Sequence, residues 1–123
     1  MVSTEPLIAV IDDDEAFRVA LVEALSSLGY GARGFASAEH FFAGDGTGPY
    51  DCIITDVHMP GMSGFDLKRW LLAHDAGVPV IMITADAEPG LEARAAAIGA
   101  VCLLRKPFEA DALTHCLERA LKV

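Results

Sequence analysis

Six polar residues in this 123-residue sequence have the types and placement to do chemistry together. Asp12, Asp13 and Asp14 stand in a row, Asp56 closes one apolar run, Thr84 closes another, and Lys106 follows a third. Singly, each has a plain structural role. An Asp ahead of a helix is a good N-cap, a Thr at a strand end packs, and a lone Lys is solvated. As a set they are harder to explain that way. Two carboxylates about 4 Å apart repel by about 4 kcal/mol at an effective dielectric near 20, so a fold that gathers several must also gather a cation. Hard oxygen donors with open positions suit Mg²⁺, which keeps several waters and also contacts phosphate. An ammonium and a hydroxyl are suitable donors to phosphoryl oxygens. A carboxylate nucleophile so equipped can form an aspartyl phosphate.

The set converges only if the elements carrying it share one direction. Four continuous apolar runs, Leu7–Ile11, Cys52–Thr55, Val80–Thr84 and Ala100–Leu104, are each bounded by Gly, Pro or Asp. Continuous runs of this length predict strands covered on both faces, as in a parallel sheet. Ala32–Phe35 predicts a weaker fifth strand. Helical spacing fills the gaps. Phe17, Leu21, Ala24, Leu25 and Leu28 form one stripe, with Asp14 as its N-cap and Gly29 as its stop. Leu67, Trp70 and Leu71 form a second, and Leu91, Ala95 and Ile98, between Pro89 and Gly99, a third. Leu113, Cys116, Leu117, Ala120 and Leu121 form the last. A short helix is expected from Ser37 to Phe42, and a loop over Gly44–Pro49. Strand and helix alternating five times imply a doubly wound α/β parallel sheet. In such sheets the ligand site lies beyond the carboxyl ends of the strands, where all six polar residues fall.

Composition narrows the classes. The chain is one domain by length, 1–123, and would bury roughly two thirds of its surface without staples. At 53% hydrophobic and 22% charged it is not a disordered tail, and no apolar run approaches the ~20 residues of a membrane span. Met1–Pro6 lacks the basic and apolar segments of a signal peptide. Three cysteines, an odd count with no close pair, predict reduced thiols in a cytoplasmic protein, serving as small buried hydrophobes. The net charge of −9 argues against direct nucleic-acid binding. Residues 1–67 hold 11 acids against 2 bases and residues 68–123 hold 7 of each, which points to a localised acidic site.

Four segments carry a family resemblance across essentially the whole chain. They are Val10-Ile11-Asp12-Asp13-Asp14, Asp56-Val57-His58-Met59-Pro60-Gly61-Met62-Ser63-Gly64, Ile83-Thr84-Ala85 and Lys106-Pro107-Phe108. The sequence resembles the receiver domain of bacterial two-component response regulators, and Phe35-Ala36-Ser37-Ala38-Glu39 is similar to receivers of the FixJ type. The resemblance implies a five-stranded flavodoxin-like sheet of order 2-1-3-4-5. It implies Asp56 as phosphoacceptor, with Lys106 and Thr84 binding the phosphoryl group. It implies Mg²⁺, or Mn²⁺ as a substitute, held by Asp13 directly, by Asp12 through water, by Asp56 and by the main-chain carbonyl of His58. Ala85 would leave the entrance open, and Lys106-Pro107 would be cis. The implied partners are a sensor histidine kinase and a second copy docked through the fourth helix, fifth strand and fifth helix, where Arg94, Arg105 and Arg119 could add polar contacts. The expected output is a phosphorelay switch that assists its own phosphorylation and slow dephosphorylation, not an enzyme with a turnover substrate. Leu103 departs from the family, which usually carries Tyr or Phe there as the partner of Thr84 in switching.

Other features have simpler readings. Gly29, Gly31 and Gly34 match G-x-G-x-x-G but follow a helix and precede a strand, the reverse of a dinucleotide site. His40, His74 and His115 are expected on helix surfaces, and Trp70 in packing. His58 and Asp86 flank the water route to Asp56 implied by the resemblance. Two rivals stand beside the receiver reading. A dehalogenase-like phosphatase would need D-x-D-x-[TV] on the first strand, whereas Glu15-Ala16 follow Asp12-Asp13-Asp14. A degenerate receiver acting only as an interaction module is favoured by Leu103 and opposed by the complete acidic set.

Overall fold

The computed structural model describes residues 5–44, 50–74, 76–86 and 88–122. Five strands, β1 (Leu7–Ile11), β2 (Gly31–Phe35), β3 (Cys52–Asp56), β4 (Val80–Thr84) and β5 (Cys102–Arg105), alternate with α1 (Glu15–Ser27), α2 (Ala38–Ala43), α3 (Gly64–Ala73), α4 (Leu91–Ala97) and α5 (Ala110–Leu121). All four strand pairings are parallel, in the order β2-β1-β3-β4-β5. The expected doubly wound sheet is therefore the observed one. The expected loop at residues 45–49 lies outside the described residues.

The continuous apolar runs have a direct physical basis. Along β1, Ala9 and Ile11 point into one core with Leu67, Leu71 and Leu91 of α3 and α4. Ile8 and Val10 point into the other, with Leu21 and Leu25 of α1 and Leu113 and Leu117 of α5. Both faces of β1, β3 and β4 are covered, so alternation has nothing to mark there, whereas the edge strands β2 and β5 are partly exposed.

Helix ends follow the expected chemistry. The Asp14 carboxylate caps α1 by accepting from the Phe17 N–H at 3.2 Å. Ser63 caps α3 in a reciprocal box with Asp66. Gly29, at φ +95°, closes α1 in a Schellman turn, with the Tyr30 N–H on the Leu25 carbonyl. Gly99, at φ +88°, closes α4 in the same way, with the Ala100 N–H on the Ala95 carbonyl. That turn corrects one expected boundary. Ala100 is apolar but belongs to the helix closure, and Val101 leads from it to the sheet with its N–H on the Val80 carbonyl of β4 at 2.8 Å, so β5 starts at Cys102 and runs to Arg105.

Two further corrections concern side chains. The α1 stripe is not wholly buried: Leu28 is 42% exposed. With Phe17, Ala24, Phe108 and Leu113 it lines an apolar groove of about 390 Å³ between α1 and α5. The expectation of reduced, unpaired cysteines also fails. Cys102 of β5 and Cys116 of α5 form a disulfide with a Cα–Cα separation of 6.0 Å, leaving Cys52 as the free thiol. They sit far apart in sequence, and packing of α5 on β5 brings them together.

One glycine fixes the relation between β3 and α3. A Cβ at Gly64 would lie 2.5 Å from the Asp56 carbonyl oxygen and 3.1 Å from the Val57 Cα, both backbone atoms that cannot swing aside. Gly64→Ala is expected to lower unfolding stability by about 1–3 kcal/mol. Urea denaturation measures it. An unchanged midpoint would mean that the close approach is not maintained in solution.

Candidate functional site

The polar residues named from sequence lie beyond the carboxyl edge of the sheet. β1 ends at Ile11, and the Asp12 N–H is held by the Phe35 carbonyl of β2 at 3.0 Å. The Asp12 side chain is fully buried, and its Oδ1 accepts from the Asp14 N–H at 2.9 Å. Asp56 is the last residue of β3, and its Oδ1 accepts from the His58 N–H at 2.9 Å. Lys106 follows β5 with its N–H on the Thr84 carbonyl at 2.7 Å. From there its Nζ donates to Asp12 Oδ2 at 2.8 Å and to Asp56 Oδ2 at 2.9 Å. The Lys106-Pro107 peptide is cis.

Charge and burial set the protonation of this cluster. Burial pushes the Asp56 carboxyl above its usual range. The hydrogen bonds from Lys106 and His58 and the Lys106 charge oppose that push, and the Asp12 charge adds to it. Burial works against the Lys106 ammonium, but its hydrogen bonds to Asp12 and Asp56 and their charges outweigh it, holding Lys106 above the ordinary lysine value. Burial is thus the main cause of the Asp56 shift, whereas the two carboxylates facing Lys106 are what hold it up.

The donor set fits a hard divalent cation. Carboxylate oxygens of Asp12, Asp13 and Asp56 lie within 4.8 Å of one another, with Asp12 and Asp56 buried and Asp13 exposed. Exposure of Asp13 leaves one side of the cluster open to water, as an incompletely dehydrated ion requires.

Thr84 is placed at the same edge but apart from the cluster. It is fully buried, and its Oγ1 accepts from the Asp86 N–H at 3.0 Å rather than touching Asp12, Asp56 or Lys106. The hydroxyl proton remains available for donation. Asp14 is set apart as the α1 cap. The His58 side chain is 52% exposed, with Nε2 3.5 Å from Asp86 Oδ2.

Several supporting residues carried no signal in the sequence. Phe17, counted as part of a core stripe, lies with its ring centroid 4.1 Å from Lys106 Nζ, a cation–π contact that steers the ammonium. The Arg18 Nη1 donates to the Asp12 carbonyl at 2.8 Å. Gly34 gives that arginine room, since a Cβ there would lie 3.1 Å from the Arg18 side chain. Glu39 of α2 accepts from the Met62 N–H at 2.9 Å and fixes the loop after Asp56. None of these contacts follows from spacing, because each joins different elements.

Comparison with known proteins agrees with this geometry. Residues 8–118 match the family described as response regulator receiver domain. The chain belongs to that family. The receiver is 36% identical over 98% of its length to the transcriptional regulatory protein FixJ of Bradyrhizobium diazoefficiens, of which it covers 58%. It is 36% identical over 96% of its length to the C4-dicarboxylate transport transcriptional regulatory protein DctD of Rhizobium meliloti, covering 26% of that protein. The chain thus spans only part of these relatives. Among solved structures, FixJ-N superimposes with a TM-score of 0.86 at 32% identity, covering 98% of this chain and 96% of that one. Chemotaxis protein CheY4 of Vibrio cholerae gives a TM-score of 0.84 at 28% identity, covering 96% and 100%. The receiver is thus a two-component signalling domain, and no helix among its described residues is long and apolar enough to cross a membrane.

The raised Asp56 carboxyl has a consequence for stability. Because the folded chain holds this proton more tightly than the unfolded chain does, the group's contribution is complete below the ordinary aspartate value near 3.9. It is lost as pH rises through the folded value. In Mg²⁺-free buffer, Asp56→Asn is therefore expected to melt a few degrees above the native receiver at pH 7, with the gap closing toward pH 4. Thermal melts across that range test it. A variant less stable than native at pH 7 would refute a net burial penalty on the Asp56 carboxylate.

Proposed function

We propose that this receiver, over residues 1–123, accepts a phosphoryl group on Asp56 from the phosphohistidine of a sensor histidine kinase and acts as a cytoplasmic switch. The observation that carries this reading is Lys106, bonded at once to Asp12 and Asp56 across the strand ends. The ion pair holds Asp56 in a fixed orientation, with Oδ1 on the His58 N–H. An Asp56 oxygen attacks phosphorus, and the imidazole nitrogen of the donor leaves. Lys106 then turns from the carboxylates to a phosphoryl oxygen, and the Thr84 hydroxyl donates to another. Hydrolysis returns Asp56 when water attacks the phosphorus, with His58 and Asp86 flanking the approach.

Asp13, Asp12, Asp56 and the His58 carbonyl would hold Mg²⁺ or Mn²⁺. Bound there, the ion neutralises charge that builds on the phosphoryl oxygens in transfer. The chain's own contribution is the position of Asp56 and the two donors. The phosphatase alternative is set aside on the sequence order, with Glu15-Ala16 following Asp12-Asp13-Asp14, since Lys106 bonds Asp12 and Asp56 alike.

Signal output has to leave without an aromatic ring in β5. Leu103 is half-buried beside a cavity of about 120 Å³ between α4 and β5. Arg105 supplies another link, with Nη1 on the Asp86 carbonyl at 3.2 Å and Nη2 on Glu92 at 3.3 Å. It joins β5 to the loop that Thr84 would move. A shift from 1:99 to 99:1 needs about 5.5 kcal/mol. One hydrogen bond from Thr84 to a charged phosphoryl group supplies about 1.5–3 kcal/mol. Lys106 must contribute the rest, or the shift is smaller. The α4–β5–α5 face is the proposed surface for a second copy, and the receiver itself, at net charge −9, is not proposed to bind nucleic acid.

Two measurements test the reading. With Mg²⁺ and acetyl phosphate the receiver is expected to gain one phosphoryl mass and Asp56→Asn none. Asp13→Ala is expected to lose the Mg²⁺-dependent rise in melting temperature, more completely than Asp12→Ala does. Labelling of Asp56→Asn would move the nucleophile elsewhere. Separately, beryllofluoride is expected to change amide exchange over residues 84–106 and the dimer population in the native chain, with Leu103 staying packed. If only Leu103→Tyr responds, the native receiver has lost its switch; if both respond alike, the ring is dispensable.

A further inference from the structure

The three cysteines sit in three different chemical settings. Cys52 on β3 is fully buried, and burial, with the Asp51 charge beside it, pushes its thiol up to about 12. Such a thiol stays protonated and inert. Cys102 lies half-buried on β5, an edge strand paired only with β4, and the Arg119 Nη1 donates to its Sγ at 3.4 Å. A guanidinium beside sulfur favours the thiolate, the form that attacks electrophiles. Cys116 is 4% exposed and reaches Cys102 from α5. The Cα–Cα distance of 6.0 Å falls within the range that a disulfide requires.

We propose that Cys102 and Cys116 are a reversible dithiol–disulfide couple, with Cys102 the thiol that reacts with a hydroperoxide and Cys116 the thiol that resolves it. The Cys102 thiolate attacks the terminal peroxide oxygen, the O–O bond breaks, and the leaving alkoxide or hydroxide takes a proton. Cys102 becomes a sulfenic acid. The Cys116 sulfur, giving up its proton, then attacks the Cys102 sulfur, and the S–O bond breaks to release water. Two thiols and one hydroperoxide thus give one disulfide, one alcohol or water, and one further water. A small dithiol reverses the change by exchange. Arg119 is a positioning residue, acting through the Cys102 sulfur.

The closed loop runs from residue 102 to 116 and contains Lys106, so the couple sits on the segment that carries the site's ammonium. The inference does not rest on the phosphoryl-transfer reading, and its test uses no phosphodonor. The intact chain is reduced, desalted and treated with hydrogen peroxide. The expected product has lost two hydrogens, carries a Cys102–Cys116 linked peptide, regains its mass with dithiothreitol, and has Cys52 unmodified. Cys116→Ser is expected to trap a sulfenic acid at Cys102 that dimedone labels, whereas Cys102→Ser gives no comparable adduct at Cys116. Arg119→Gln is expected to slow oxidation by roughly three- to tenfold, and Arg119→Lys to restore most of the rate. Failure of the native chain to form the linked peptide, an adduct first at Cys116 or Cys52, or an unchanged rate in Arg119→Gln would each overturn the proposal.

Discussion

Two buried carboxylates and one ammonium hold this architecture to its purpose. Lys106 reaches Asp12 and Asp56 across sequence separations of 94 and 50 residues, and both bonds are short. Neither carboxylate would be tolerated at its depth without that charge, since an unpaired ion in a dry interior costs several kcal/mol. The strands must therefore run parallel, so that their carboxyl ends meet, and β5 must dock, so that its following residue arrives. Phe17 beneath the ammonium and Arg18 on the Asp12 carbonyl make α1 a second support for the same arrangement. The edge is poised rather than neutral, because negative charge exceeds positive within it.

The same edge is hydrogen-bonded to the outermost strand. Thr84 is withdrawn from the carboxylates and tied to the backbone of Asp86, whose carbonyl is in turn held by Arg105 of β5. A change at the Thr84 hydroxyl thus has a covalent and hydrogen-bonded path to the outermost strand. The cavity beside Leu103 leaves slack in that region, where a packed ring would transmit movement more stiffly.

Much of this was legible from the residues, and the limits are physical. Continuous apolar runs named the sheet because alternate residues feed two cores, as Ile8 and Ala9 do. Asp14 and Gly29 marked the ends of α1 because capping is local. The boundary of β5 was misplaced because hydropathy does not separate a strand from the apolar closure of a Schellman turn at Gly99. Leu28 fits the α1 stripe by spacing, yet as the C-cap it sits in the open groove between α1 and α5 and stays exposed. The Cys102–Cys116 bond and the cradle of Phe17, Arg18 and Glu39 depend on how helices settle on the sheet. No periodicity encodes those distances.

The order of the strands in the sheet gives Lys106 a further meaning. Asp12 and Asp56 stand at the ends of the inner strands β1 and β3, whereas the cation facing both is brought by the residue after the edge strand β5. Opening of β5 from β4 would leave two buried carboxylates on one rim without the protein's ammonium. Docking of the edge strand and relief of that repulsion are therefore one event, favoured by electrostatics and apolar burial together. A chain halted before residue 106 would hold the acidic half of the site but not the group that orients Asp56, and truncated products would be poor competitors for whatever recognises the finished domain.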